Sequence, residues 1–372
     1  MSDTKYTYAV ARIRALEMSL FSAAAIEQLM ACKTYEASLQ FLAERGWGDS
    51  ESSGSMEAML SREEEKIWET IRELKVDMEA FAVLSYPHLF HNLKAAVKEF
   101  CMGESQASIY YEDCSLGREQ LLEILKNKDY AALPESMREV AKEACESLLH
   151  TRDGQLCDVM IDRAALEAIH QAGEKSSDEI LKNYAESTVA VADIKIAVRS
   201  MKTAKSLEFI KRALAPCRTL DVSRLAVTAM SGMEAICQYL QGAGYGEAAE
   251  AIQESSSAFE RWCDNQIIHT IQPEKYHPFS IGPLVAYVLA RENEIKTVRI
   301  ILTGRLNDLP EEAIRERIRA VSYTHLGACT SAGKPYRSCG EGDRKRILES
   351  GESRDGTGGG GSQRRAGLQR KR

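Results

Sequence analysis

The chain lacks most of what would point to a membrane span or to a reaction. No apolar run approaches the ~18 residues a membrane span needs, so any association with a bilayer is expected to be peripheral. No G-x-G-x-x-G follows a strand, and neither G-x-S-x-G nor H-E-x-x-H occurs. Dinucleotide, serine-hydrolase and zinc-peptidase grammar are therefore missing. The ten Cys include no paired C-x-x-C spacing. Cys32, Cys101, Cys145, Cys217, Cys237 and Cys263 mostly fall within helical patterns, where a thiol acts as a small apolar group. A reducing compartment fits this usage better than secretion. Residues 1–5 lead straight into an amphipathic pattern, so no secretory leader is expected. The formal net charge of -7 gives no support to nucleic-acid binding. Convincing period-two alternation is also absent, and the fold class expected is all-α.

What the chain does have is helix grammar. Residues 6–34 read as one or two helices, and 35–45 as another closed by Gly46. A long helix is expected over 56–84, broken near Pro87, with a further helical stretch ending near Gly103. Residues 104–116 read as a loop, 118–126 and 136–150 as helices, and 157–213 as a longer helical region stopped by Pro216. Helices resume over 220–240 and 247–271 around a turn at 242–246. In residues 278–319 an apolar pattern, Ile281, Val285, Val288 and Leu289, meets the charged patch Arg291-Glu292-Asn293-Glu294 and resumes with Ile295, Val298 and Leu302. Pro310-Glu311-Glu312 then opens a short last helix, with acids where the helix dipole favours them.

A weaker form of that stretch occurs twice earlier. Asn92-Leu93-Lys94, Asp193-Ile194-Lys195 and Glu294-Ile295-Lys296 each place a polar residue, an apolar one and Lys in order, and the Lys positions are 101 residues apart both times. Leu93, Val97 and Phe100 correspond to Ile194, Val198 and Met201; in the third copy Val298 falls one residue short of register. Upstream, residues 162–169 match 264–271, and 64–71 can play the same part in the first copy. Phe41-Leu42 with Gly46-Trp47-Gly48 is echoed by Tyr239-Leu240 with Gly244-Tyr245-Gly246. Three echoes in consistent order imply a threefold internal repeat of about a hundred residues, too long for the common solenoids. The expected units are 1–105, 106–206 and 207–319.

The composition shifts near Ala320. Eleven of the 24 Gly fall beyond it, and Lys and Arg outnumber Asp and Glu there by eleven to five. Such a segment is expected to be disordered. It could act as a basic arm for nucleic acid or anionic lipid. The plainer reading is that Val321-Ser322-Tyr323-Thr324-His325-Leu326 resembles a translated sequencing adapter, with 320–372 an out-of-frame tail.

Candidate chemistry is sparse. His88 and His91 have a spacing a metal could use, but Pro87 suggests a helix start, and a capping or surface role is favoured. Cys263 and His269 share a helix without further ligands nearby in sequence. Ser331-Ala332-Gly333-Lys334 lacks the phosphate-loop spacing. No catalytic, cofactor or metal residue is assigned. The repeated positions and their neighbours, Asn92, Lys94, Asp193, Lys195, Arg199, Glu294, Lys296 and Arg299, are candidate structural or interface residues. They either line a cavity as a ring of polar groups or brace helix junctions, the simpler reading.

Several of these elements together resemble a known family. Tyr8-Ala9-Val10-Ala11-Arg12-Ile13-Arg14-Ala15-Leu16-Glu17 is similar to the N-terminal signature of the C subunit of the vacuolar- and archaeal-type rotary ATPases, known in the eukaryotic membrane sector as the d subunit. Leu42 with Gly46-Trp47-Gly48 resembles its leucine and glycine-aromatic-glycine element, and His91-Asn92-Leu93-Lys94 its asparagine-leucine-lysine segment. Tyr287, Glu292-Asn293-Glu294-Ile295-Lys296 and Arg299-Ile300-Ile301-Leu302 resemble its strongest C-terminal motif. The resemblance covers residues 5–319 and implies a funnel of three helical domains in pseudo-threefold arrangement. It further implies a non-catalytic socket, peripheral on the cytoplasmic face of a bacterial or archaeal-type membrane, whose partners are the central-stalk subunits and the membrane rotor ring. The competing readings are an all-α scaffold with unrelated partners, and an all-α metal-dependent enzyme, which would need ligands clustered where the seven His are scattered.

Overall fold

A computed structural model describes residues 6–52, 54–103, 109–111, 114–273 and 280–319. The expectations for residues 320–372 lie outside the described residues. Sixteen α-helices and no strand occur among them. The first four are α1 (Thr7–Glu17), α2 (Ala23–Ala31), α3 (Tyr35–Glu44) and α4 (Met56–Glu73). Then follow α5 (Ala82–Met102), α6 (Arg118–Asn127), α7 (Glu135–Thr151), α8 (Gly154–Lys175) and α9 (Glu179–Lys202). The remainder are α10 (Leu207–Ala213), α11 (Val222–Ser231), α12 (Met233–Gly242), α13 (Gly246–Glu254), α14 (Ser256–Ile271), α15 (Gly282–Leu306) and α16 (Glu311–Arg315). All belong to one compact unit.

Local chemistry sets many of the boundaries. Ser22, Thr34, Ser55, Ser206, Asp221 and Ser255 each accept a backbone N–H with the side chain at a helix start. Ser255 thereby divides the helix expected over 247–271, and Gly232 divides 220–240. The expected break near Pro87 is absent. A turn after Glu73 and a 3-10 stretch, Met78–Phe81, separate α4 from α5, and Pro87 lies inside α5. At the sixth position of α5 its ring removes the bond to the Val83 carbonyl, and the helix continues across that one gap. The charged patch at 291–294 does not interrupt α15 either; it is carried within one continuous helix and largely buried.

Three apolar cores organise the molecule. The first joins α1–α4 to α15 and takes in Ile169 of α8 and Ile180, Leu181, Tyr184 and Val189 of α9. The second packs the later half of α9 against α10–α14, and the third packs α5 with α6, α7 and most of α8. The close approach of α8 and α9 depends on Gly173, where a Cβ would lie 2.3 Å from that of Ala185. α5, α9 and α15, the long helices that carry the repeated segments, end alike. Gly103, Ala204 and Asp308 follow them with φ of 77°, 50° and 51°, in the left-handed region that stops a helix.

Their packing is cyclic. Each long helix lies against the helix that precedes the next one: α5 on α8, α9 on α14 and α15 on α4. The third contact returns to the start of the chain and closes the circuit.

Candidate functional site

The closing contact is built around charges that are almost wholly buried. Most of α15 is buried, including Leu284, Val285, Tyr287, Val288, Ile295 and Val298. Arg291 and Glu294, at i and i+3, share one face of it. Glu63 comes from the apolar face of α4, between Met59 and Ile67, which are both buried. The side chains of Arg291, Glu63 and Glu294 are 9%, 4% and 2% exposed, and the guanidinium bonds both carboxylates. The remaining lone pairs are taken up locally. Glu294 accepts the Phe21 amide, and Glu63 accepts the Gly48 amide at 2.8 Å and Lys66 at 2.6 Å. Arg291 also sits 5.0 Å from the Trp47 ring centroid, and that ring lies 5.2 Å from Phe21. Burial pushes the Glu294 carboxyl up, with Arg291 and the Phe21 amide pulling against it. Burial works against the Arg291 charge, and the two carboxylates outweigh it, leaving that group above its ordinary value.

The corresponding positions on the other long helices hold a loop in the same way. Asn92 of α5, fully buried, accepts the Tyr111 amide at 2.9 Å and donates to the Tyr111 carbonyl at 2.8 Å. Asp193 of α9, also fully buried, accepts the Ala215 amide at 3.0 Å through Oδ1, while its Oδ2 has no hydrogen-bond partner. Burial pushes the Asp193 carboxyl up to about 7, against the Ala215 amide and the charge of Arg163, with Glu186 adding to the rise.

Cations on the same three helices bridge to the helix packed against each. Lys94 bonds Asp162 of α8 at 2.6 Å, Lys195 and Arg199 meet Glu260 of α14 at 2.8 and 3.5 Å, and Arg299 meets Glu64 of α4 at 3.3 Å. Lys296 is exposed. Asn92, Asp193 and Glu294 thus occupy similar buried positions, whereas among the described residues only Lys94 and Lys195 of the repeated lysines bridge, and Arg299 makes the bridge on α15. None of the eight lines the cavity of about 790 Å3 bounded by Tyr6, Asp77, Tyr86, Glu135, Lys175 and Asp178.

Trp47, Gly48, Arg291 and Glu294 of the closing contact come from two stretches singled out in the sequence, the glycine-aromatic-glycine element at 46–48 and the 287–294 segment; Phe21, Glu63 and Lys66 come from neither. A family model described as ATP synthase (C/AC39) subunit matches residues 9–317. The chain belongs to that family.

Among curated relatives, the C subunit of the V-type sodium ATPase of Enterococcus hirae is 23% identical over 316 residues, covering 83% of this chain and 96% of the relative. The C subunit of the A-type ATP synthase of Methanocaldococcus jannaschii is 21% identical over 339 residues, covering 83% and 85%. A shorter match, 29% identical over 142 residues, links 37% of the chain to 38% of the corresponding A-type ATP synthase protein of Desulfurococcus sp..

In this member of the ATP synthase (C/AC39) subunit family, no cluster of three His, Cys, Asp or Glu able to hold a metal occurs among the described residues. His88 stacks on Tyr111 with centroids 3.8 Å apart, and His91 meets the Ile109 carbonyl at 2.9 Å. The His88–His91 pair is therefore engaged with the loop after α5. Cys263 is buried, its thiol pushed up to about 12 by that burial. No helix among the described residues is long and apolar enough to cross a membrane.

Glu63 was not among the residues singled out from the sequence, and Arg291 was read there only as part of a charged patch. A signal for Glu63 was present: Met59, Glu63, Ile67 and Ile71 recur every four residues, so one carboxylate falls in an otherwise apolar stripe. A charge there needs a buried partner.

Proposed function

We propose that the protein is a non-catalytic coupling component of a vacuolar- or archaeal-type rotary ATPase, a socket that joins the central stalk to the membrane rotor ring. On this reading it sits peripherally at the cytoplasmic face and supports ATP-driven proton or sodium transport without binding the nucleotide. Residues 1–105, 106–206 and 207–319 then form three helical units arranged as a funnel, with the repeated acids and cations bracing its wall.

The observation that carries this reading is the closed circuit of long helices. A part that transmits torque must resist shear between its segments. Here α5, α9 and α15 each hold a loop amide with a buried polar group, reach an acid on the helix packed against them with a cation, and share an apolar core with that helix. Close-packed interiors yield little under load. Membership of the ATP synthase (C/AC39) subunit family supports the same assignment.

The test is a co-sedimentation experiment. A chain ending at Arg319 is mixed with rotor-ring membranes stripped of peripheral subunits, and the central-stalk subunits are added. Joint sedimentation of chain, ring and stalk is expected. Binding to neither, with helical circular dichroism intact, would overturn the coupling reading in favour of an adaptor with unrelated partners.

A further inference from the structure

A second surface stands apart from the closing contact. α8, the later half of α9 and α10 enclose an open cleft of about 350 Å3, in the range of small binding pockets. Its floor is apolar, made by Val159, Ile196, Phe209 and Ala213, and its rim carries Arg199 and Lys205.

The rim cations are poorly matched within the chain. Arg199, 73% exposed, reaches Glu260 at 3.5 Å, and that carboxylate is already held by Lys195 at 2.8 Å. Lys205 donates to the neutral Gln155 amide at 2.7 Å and lies 5.1 Å from the Phe209 ring centroid. Lys202 donates to the Ser256 hydroxyl. Asp162 on the rim is paired with Lys94. In a chain of net charge -7 this corner is locally positive. Cations at the end of α9 complement its dipole, which accounts for the charge but not for the apolar floor beside it.

The equivalent place at the next long helix is filled. Asp264 of α14 echoes Asp162 of α8, and Arg261 stands where α8 has Val159. There Arg261 donates to the Glu316 carbonyl at 2.6 Å, Ser255 donates to the Glu316 carboxylate at 3.2 Å, and Arg319 holds Asp264 at 2.5 Å. Residues 316–319 of the chain therefore lie along α14, with an acidic side chain at their start. On α8 the corresponding face lines the cleft.

We propose that this cleft receives a segment of a partner protein that presents acidic residues on either side of one bulky apolar side chain. The apolar side chain fills the space over Val159, Ile196 and Phe209, and the carboxylates meet Arg199 and Lys205. The proposal does not rest on the coupling reading, and its test uses neither ring nor stalk.

The probe is a fluorescein-labelled synthetic peptide of about twelve residues with a central Leu-Phe pair flanked by Glu, titrated with the full chain and followed by anisotropy. Saturable binding is expected, weakened about tenfold or more by the double change Arg199→Glu with Lys205→Glu, and weakened by added salt. A peptide with Lys in place of Glu should not bind. Circular dichroism checks that the double variant is folded; if it is not, Arg199→Gln with Lys205→Gln takes its place, with a smaller loss expected. Absence of saturation by about 1 mM, or binding unchanged by removing the cations, overturns the proposal. Full displacement of the peptide by a simple fatty acid such as decanoate also overturns it and assigns the cleft to small amphipathic anions.

Discussion

Asp193 stands where the first repeat has Asn92, and the difference of one atom has consequences for stability. Both accept a loop amide from a fully buried position. Asn does so without charge, whereas the Asp193 carboxyl is pushed up by burial to about 7 and leaves Oδ2 without a partner. A carboxyl with a folded-state pKa above its unfolded value holds its proton more tightly in the folded chain. Its favourable contribution is fully present below about pH 4 and is lost as pH rises through about 7. A separation of about three pH units corresponds to roughly 4 kcal/mol as an upper limit. Asp193→Asn keeps the acceptor for Ala215 and removes the titration. Urea unfolding at pH 4 and pH 8 should show the variant's advantage over the parent growing by about 2–4 kcal/mol at the higher pH. An equal difference at both pH values would mean that this carboxyl is not raised. Arg291 gives the opposite expectation. Arg291→Met leaves Glu63 and Glu294 buried together without their shared cation, and a loss of about 3–5 kcal/mol is expected in the same measurement at pH 7.

At the scale of the helix, the three long elements end on residues of different fitness for the same conformation. Gly103 suits a left-handed end, while Ala204 carries a Cβ there at φ 50°. Ala204→Gly should therefore raise stability by about 0.5–1 kcal/mol, read as a higher denaturation midpoint with unchanged slope. No gain would mean that contacts of the Ala204 methyl outweigh the strain. Helix class was legible because it rests on local patterning, apolar spacing and caps, and the polar-apolar-Lys order at 92–94, 193–195 and 294–296 picked out three buried polar positions. Boundaries were less legible. Pro87 was read as a break, yet α5 runs through it with one backbone bond given up. Gly232 and Ser255 were passed over because the apolar pattern continues across them. The closing contact was legible only in part. Glu294 showed through the repeat, but the need for Arg291 and Glu63 appears only when α4 meets α15, 228 residues away in sequence.

The described helices are held as a circuit, and the three polar contacts along it are not equivalent. Asn92 holds a residue 19 positions on, and Asp193 one 22 positions on, so chain connectivity keeps each loop near its helix. Glu294 holds Phe21, 273 positions away, and nothing short and covalent supports that contact. Loop closure over such a length opposes it more than the other two, and a buried ionic network with an aromatic pair stands there to offset the cost. The closing junction should therefore be the first to open when weakened. In Arg291→Met, native-state hydrogen exchange is expected to rise in α1, α4 and α15, which share the first core. Exchange in α11–α13 of the second core should stay near the parent's. That pattern would show a circuit that opens at its seam while its remaining arc stays packed. A uniform rise across all sixteen helices would show instead that the cores unfold as one unit, and that the seam has no separate stability.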